Sequence, residues 1–387
     1  MFNYNINNSK TCKSILKKKN VVIFLFSIVI YLYLSSGITF VPVEELGIIA
    51  GIGLDINNTS SEAVEYSVPL SVYNYTEGSL TYNLVHNGKA TTIGNAQENR
   101  QLMFNKKFVI GLEKVVILGE ALAAYSILPR LDIFFTSPNV NDTAFTLVCK
   151  GKSEELLKLS IKGYPTSSDY IEGMLSHSID SNFFSDNYKV MDIYVRVDAE
   201  GRNLVLPYME VEENTPKITG LALFKKDKML MKLGMKETKT LNLLREDNVQ
   251  GHLSIQKNPT EYIDFHCTSK RKVKCKKING KYNFTVDLSI IGNVISNSLY
   301  ENMNSDSKVK EKFEKDMAKV TEEMCMDFIG KMQSNYKIDV LELGRVAAAT
   351  YGRGTGTDWN EVVCNVDLAD IKVNVKVKVD NMGRGDY

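Results

Sequence analysis

Four histidines, six cysteines and a few glycine-rich turns are the groups through which this chain of 387 residues could do chemistry. His86, His177, His252 and His266 fall in no protease or zinc spacing, and neither H-E-x-x-H nor G-x-S-x-G occurs. His266-Cys267 with Cys275 would offer metal ligands, but their spacing suits no tetrahedral site, and a plain hairpin is the simpler expectation. A hairpin turning near Lys270-Arg271 would set Cys267 opposite Cys275, as a disulfide or as two ordinary strand thiols. Gly151-Lys152-Ser153 imitates the end of a phosphate loop, yet Thr146 stands where the upstream glycine is required. A strand-to-helix turn with a serine cap is expected there instead. Arg353, in the loop Tyr351-Gly352-Arg353-Gly354-Thr355-Gly356, could grip an anion. A linker leading to a core-anchored Trp359, the single tryptophan, is the plainer account. Gly47, Gly51 and Gly53 lack the G-x-G-x-x-G pattern and point to close backbone packing. Glu154/Glu155 and Glu322/Glu323 read as solvated helix faces. No nucleophile, base and orienting group come together, so no catalytic residue, metal or cofactor is expected and the chain reads as non-enzymatic.

Strands and helices interleave across 44–203: strands near 46–55, 63–74, 80–86, 114–118 and 143–149, helices near 92–103, 119–127 and from 153. Asn87-Gly88 reads as a turn, and 188–198 fits either period. The pattern changes around 201–216. A hairpin about Lys225-Lys226-Asp227-Lys228 and a helix over 237–245 then make a small middle domain, 204–256. A C-terminal domain, 257–385, begins with strands over 261–296 turning at Asn279-Gly280. Its long helix, 305–334, carries an apolar stripe of Val309, Phe313, Met317, Val320, Met324, Phe328 and Met332, suited to packing on a sheet. The last strand alternates Ile371, Val373, Val375, Val377 and Val379 with polar residues, as in an antiparallel sheet, at its edge. The fold class expected is α+β or mixed α/β, with three domains of mixed sheets packed by helices.

Residues 1–43 differ in kind. Lys17, Lys18 and Lys19 precede a nearly unbroken apolar run, Val21 to Leu34, and no acid occurs before Glu44. About 21 residues of helix span roughly 30 Å, a bilayer core. The positive-inside bias then keeps the N-terminus cytoplasmic and puts everything from about residue 38 outside. Leu34-Ser35-Ser36-Gly37 resembles a lipoprotein signal with glycine in place of the lipidated cysteine; an ordinary signal peptide is the other reading. The rest of the chain carries a slight acidic excess, which excludes a nucleic-acid footprint.

Several blocks together resemble the Ger(x)C (GerAC-type) subunits of spore germinant receptors in endospore-forming bacteria. They are Glu45-Leu46-Gly47-Ile48-Ile49, Gly51-Ile52-Gly53-Leu54-Asp55, Val115 to Ala123 with its G-E-x-x-A helix, and Leu147-Val148-Cys149-Lys150-Gly151. Gly220-Leu221-Ala222-Leu223-Phe224-Lys225-Lys226-Asp227-Lys228 is the most specific, near the family's G-x-A-V-F-K-x-D-K hairpin. Asp339-Val340-Leu341-Glu342-Leu343-Gly344, Trp359 and the final strand fit the C-terminal end. The resemblance implies a lipoprotein-like, non-enzymatic subunit of a nutrient germinant receptor. It would lie on the outer face of the spore inner membrane, beside integral-membrane subunits of the A and B type. It also implies two departures: the lipidated cysteine falls on Gly37, and a usual G-H pair reads Gly111-Leu112. The alternative is a membrane-tethered extracytoplasmic solute-binding or adhesion protein.

Overall fold

The structure is a computed structural model that describes residues 8–35, 41–60, 63–74, 82–136 and 139–381. It forms two compact units, one ending at Leu46 and the other beginning at Gly47. The first holds α1 (Asn8–Ser35) and a 3-10 turn at Val43–Glu45. The side chains of α1 are described over 19–35, which is about 25 Å of helix. Those from Val21 to Leu34 are apolar and exposed, apart from Ser27. Among the described residues no helix is long and apolar enough to cross a membrane. Gly37 lies outside the described residues.

The second unit opens one residue into β1 (Leu46–Ser60) and continues with β2 (Ala63–Asn74), β3 (Tyr82–Ala90), α2 (Ile93–Gln101) and β4 (Lys107–Val109). Next come β5 (Val115–Gly119), α3 (Glu120–Tyr125), α4 (Leu128–Thr136), β6 (Phe145–Cys149), α5 (Ser153–Leu157), α6 (Ser167–His177) and α7 (Val190–Val197). β7 (Val205–Glu212), β8 (Thr215–Lys225), β9 (Lys228–Gly234) and α8 (Met235–Arg245) follow. The chain finishes with β10 (Val249–Gln256), β11 (Tyr262–Ile278), β12 (Lys281–Asn297), α9 (Ser307–Lys331), α10 (Leu343–Tyr351), α11 (Trp359–Cys364) and β13 (Ala369–Asn381).

One mixed sheet runs in the order β3-β2-β1-β5-β6-β7-β8-β9, with β4 beside β1. Its centre, β1-β5-β6-β7, is parallel, and antiparallel pairs extend it on both sides. Ile52, Leu54, Val68, Leu70, Val116 and Leu118 turn one face toward α2, α3, α4 and α7. On the other, Val115, Ile117, Leu147 and Leu221 meet α5, α6 and α8, and this core continues into the second sheet, β10-β11-β12-β13. The glycines of β1 set the helix distance: a Cβ on Gly51 would lie 2.2 Å from Ser168 Oγ, and one on Gly53 2.2 Å from Ser153 Oγ. Residues 188–198, ambiguous in pattern, form α7, which buries Val190 and Ile193.

Five local expectations are corrected. Asn87-Gly88 lies inside β3, where a Cβ on Gly88 would meet Ala96 O at 1.9 Å, so the glycine admits α2 rather than a turn. The hairpin joining Cys267 to Cys275 does not exist. β11 passes unbroken through Lys270-Arg271, with Cys267 opposite Gly292 and Cys275 opposite Phe284. Eight residues of strand separate the two cysteines by about 26 Å, far beyond disulfide reach. Both thiols are free and buried on one face. β13 is an edge strand, but it pairs with β12 in parallel because α9 carries the chain back across the sheet. On α9 the buried stripe is Phe313, Met317, Thr321, Cys325, Phe328 and Ile329, while Val320 stays 40 % exposed. Four-residue steps keep to one side of the helix, and they pass through Thr321 instead.

The fifth concerns Ser153, which is the first helical residue of α5 and not its cap. Asp55, reaching from β1 and 2 % exposed, takes the capping role. Its Oδ1 accepts the Ser153 N–H at 2.8 Å, and its Oδ2 accepts Ser153 Oγ at 2.8 Å and the Glu154 N–H at 3.4 Å. Asp55→Ala strands these donors in the core and is expected to cost about 2–3 kcal/mol in urea denaturation. Loss of less than about 0.5 kcal/mol would show that the carboxylate is not the helix anchor.

Candidate functional site

The densest collection of buried charge lies in segment 338–345, between α9 and α10. Asp339 folds this segment on itself. Its Oδ1 accepts the N–H of Leu341 at 3.1 Å and of Leu343 at 3.2 Å, and its Oδ2 that of Gly344 at 2.7 Å. Glu342, in the left-handed region at φ 56°, is thereby turned toward four arginines. Arg245 Nη2 approaches its carboxylate to 2.8 Å, Arg196 Nε and Arg202 Nε to 3.4 Å each, and Arg345 Nη1 to 3.5 Å. Arg245, the last residue of α8, also donates to Val340 O, to Asn203 O and to Glu246. Arg271 of β11 donates to Leu341 O at 2.7 Å.

Electrostatics follow the geometry. Burial alone would raise the Glu342 carboxyl, but Arg245, Arg202, Arg196 and Arg345 outweigh it and hold the group below its usual range. Burial opposes the charge on Arg245 too, and there Glu342 and Glu246 prevail, so its guanidinium is held above the ordinary value. Asp339 behaves differently: burial pushes it up to about 6 against its backbone donors.

A second contact lies alongside. Gly201, at φ 72°, backs onto Gly344, and a Cβ on Gly201 would fall 2.3 Å from Gly344 C. Glu200 accepts the Trp359 indole N–H at 3.0 Å and the Gly354 N–H at 2.8 Å, fastening the glycine loop. Asn203 bridges Asp339 O and Asn360 Oδ1 at 3.1 Å each. The turn 200–203 thus joins the first sheet to the elements that cover the second. Glu342 and Arg245 pair with each other at the centre of this cluster, which joins the two sheets.

Residues singled out by type are dispersed. The His86 ring lies tilted against Phe104 with centroids 4.3 Å apart, His252 and His266 meet across β10 and β11 at 4.7 Å, and His177 ends α6. Among the described residues no group of three or more His, Cys, Asp and Glu side chains could hold a metal. At Gly151-Lys152-Ser153 the Ser153 N–H, with that of Glu154 after it, is already donated to the Asp55 carboxylate. Beside Arg353, the Gly354 N–H is taken by Glu200, and Trp359 is buried. Sequence reading missed the junction itself. Its one signal was the block Asp339 to Gly344, noted only as a family match.

Comparison with known proteins adds the decisive observation. The model for the spore germination protein N-terminal domain matches residues 40–211, and that for the spore germination B3/GerAC-like C-terminal region matches 219–383. The chain belongs to the Ger(x)C family. It is 28% identical over 250 residues to YfkR of Bacillus subtilis (strain 168), named for spore germination, covering 60% of this chain and 62% of YfkR. It is 21% identical over 278 residues to spore germination protein GerQC of Bacillus cereus, covering 68% of this chain and 74% of GerQC. The crystal structure of the GerBC protein matches at TM-score 0.54 and 17% identity, over 85% of this chain and 97% of that one. The mixed α/β fold is therefore a Ger(x)C fold. Arg196 and Arg202 come from its N-terminal part, and Arg245, Arg271 and Glu342 from its C-terminal part.

Proposed function

We propose that the chain is a non-enzymatic subunit of a nutrient germinant receptor, held at the spore inner membrane with its bulk outside. Its role is to support or couple integral-membrane subunits of the A and B type. The observation that carries this is the pair of germination-domain matches over 40–211 and 219–383. The charge network supports a structural role, because Glu342 with Arg245, Arg196 and Arg202 ties the two sheets together and so transmits position between them. The apolar surface of α1 behind Lys19 supports the anchor. With Gly37 in place of cysteine, a spanning helix would replace the lipid, and a helix holds far more firmly than one acyl chain.

Spores lacking the gene are expected to stay refractile in nutrient, and the intact gene should restore the response. Normal germination of the deletion strain, with no paralogue compensating, would overturn the assignment. For the anchor, the N-terminal mass of the membrane-extracted protein should include residues 1–37. A soluble chain beginning after residue 37 would rule it out.

A further inference from the structure

One wall of the first sheet is incompletely filled. Between β1, β2 and α2 lies a cavity of about 170 Å³ walled by Ile52, Leu54, Val68, Leu70 and Ile93. Arg100, at the end of α2, is the one charged side chain among its described lining residues. Arg100 is 5 % exposed. Its Nη1 donates to Val68 O at 2.9 Å and its guanidinium lies over the Phe108 ring at 5.1 Å, but its buried Nε–H has no protein acceptor. Arg245, by contrast, meets two carboxylates, those of Glu246 and Glu342. For Arg100 none is within ion-pair distance among the described residues. Burial lowers it to about 10, so it remains a cation at neutral pH. Burial together with Arg100 lowers His86, which leaves Arg100 as the positive charge of this region. An unpaired buried charge costs several kcal/mol, and Arg100 belongs to the lining of this cavity.

We propose that this cavity binds a short, branched aliphatic carboxylate, with the Arg100 guanidinium taking its oxygens and the walls of β1, β2 and α2 taking its hydrocarbon. Size sets the class: a cavity of roughly 150 Å³ holds a benzene-sized molecule, so six to eight heavy atoms fit here and a lipid tail does not. Charge narrows it. No acidic side chain occurs among the described lining residues, so the ammonium of an amino acid would find no partner, whereas Gln97 and Arg100 both offer donors to a carboxylate. The inference goes beyond the receptor assignment and stands whether or not that assignment holds.

The test uses the full chain in non-ionic detergent, titrated calorimetrically with isovalerate, isovaleramide and isopentylamine. Saturable binding of isovalerate at least about tenfold tighter than the other two is expected, a difference of about 1.4 kcal/mol. Arg100→Met, which removes the unpaired charge, should fold and bind about tenfold more weakly. Ile93→Trp, which fills the cavity from a half-buried helix position, should do the same if Arg100→Met fails to fold. Equal affinity for isovalerate and isovaleramide would overturn the proposal. So would isovalerate binding that Ile93→Trp leaves unchanged.

Discussion

Replacing Glu342 by alanine is expected to destabilise the second unit by about 3–5 kcal/mol, the usual result of removing one partner from a buried ion pair. The loss is large because Arg245, 2 % exposed at its side chain, keeps its charge while its 2.8 Å partner vanishes. Arg196 and Arg202 lose the same carboxylate. Urea denaturation of the alanine and glutamine variants measures this directly. Glutamine should recover part of the loss through hydrogen bonding but none of the charge pairing. The pH dependence has a definite sign. Glu342 is held below the ordinary 4.5, so the stability it contributes is complete above that value and disappears as pH falls through the lower folded one. Asp339 opposes this at higher pH. Its folded carboxyl titrates at about 6 against 3.8 unfolded, so its penalty is present above about 6 and is relieved on acidification toward 4. The gap in melting temperature between wild type and Glu342→Gln should therefore shrink as pH falls below 4.5. A gap that widens as pH falls below 4.5 would contradict the pairing.

The second large effect is expected at Gly201. Alanine there must adopt φ 72° and place its Cβ 2.3 Å from Gly344 C and 2.4 Å from Arg345 N, both backbone atoms. Left-handed strain of about 1–2 kcal/mol adds to overpacking of about 1–3 kcal/mol, giving roughly 3 kcal/mol in all. Gly163 supplies the control, since its φ is 92° but nothing lies within 4 Å of an added Cβ. Gly163→Ala should cost only the strain. Thermal melts of the two variants separate strain from contact, and equal losses would mean that the turn at 201 does not touch segment 338–345.

What was legible in the sequence was local. The alternation from Ile371 to Val379, the turn at Asn279-Gly280 and the hairpin about Lys225–Lys228 were all readable, because periodicity and turn chemistry act within a few residues. Local signals also misled. Lysine and arginine near 270 imitate a loop, yet in an alternating strand they occupy positions where one side is wet. The junction was hidden for a different reason. Arg245 and Glu342 stand 97 positions apart, and Asp55 reaches a helix 98 positions downstream, so neither charge shows its partner in sequence. Arg100 was hidden too: on α2 it resembles any exposed helical arginine until the sheet closes over it.

We propose above all that this Ger(x)C chain works within an assembly of membrane proteins. The most direct measurement is purification of the full-length tagged chain from detergent-solubilised spore inner membrane, followed by gel filtration and mass spectrometry. Co-elution at a constant ratio with two multi-spanning subunits is the predicted result. Recovery of the chain alone in the wash, before detergent is added, would contradict the claim.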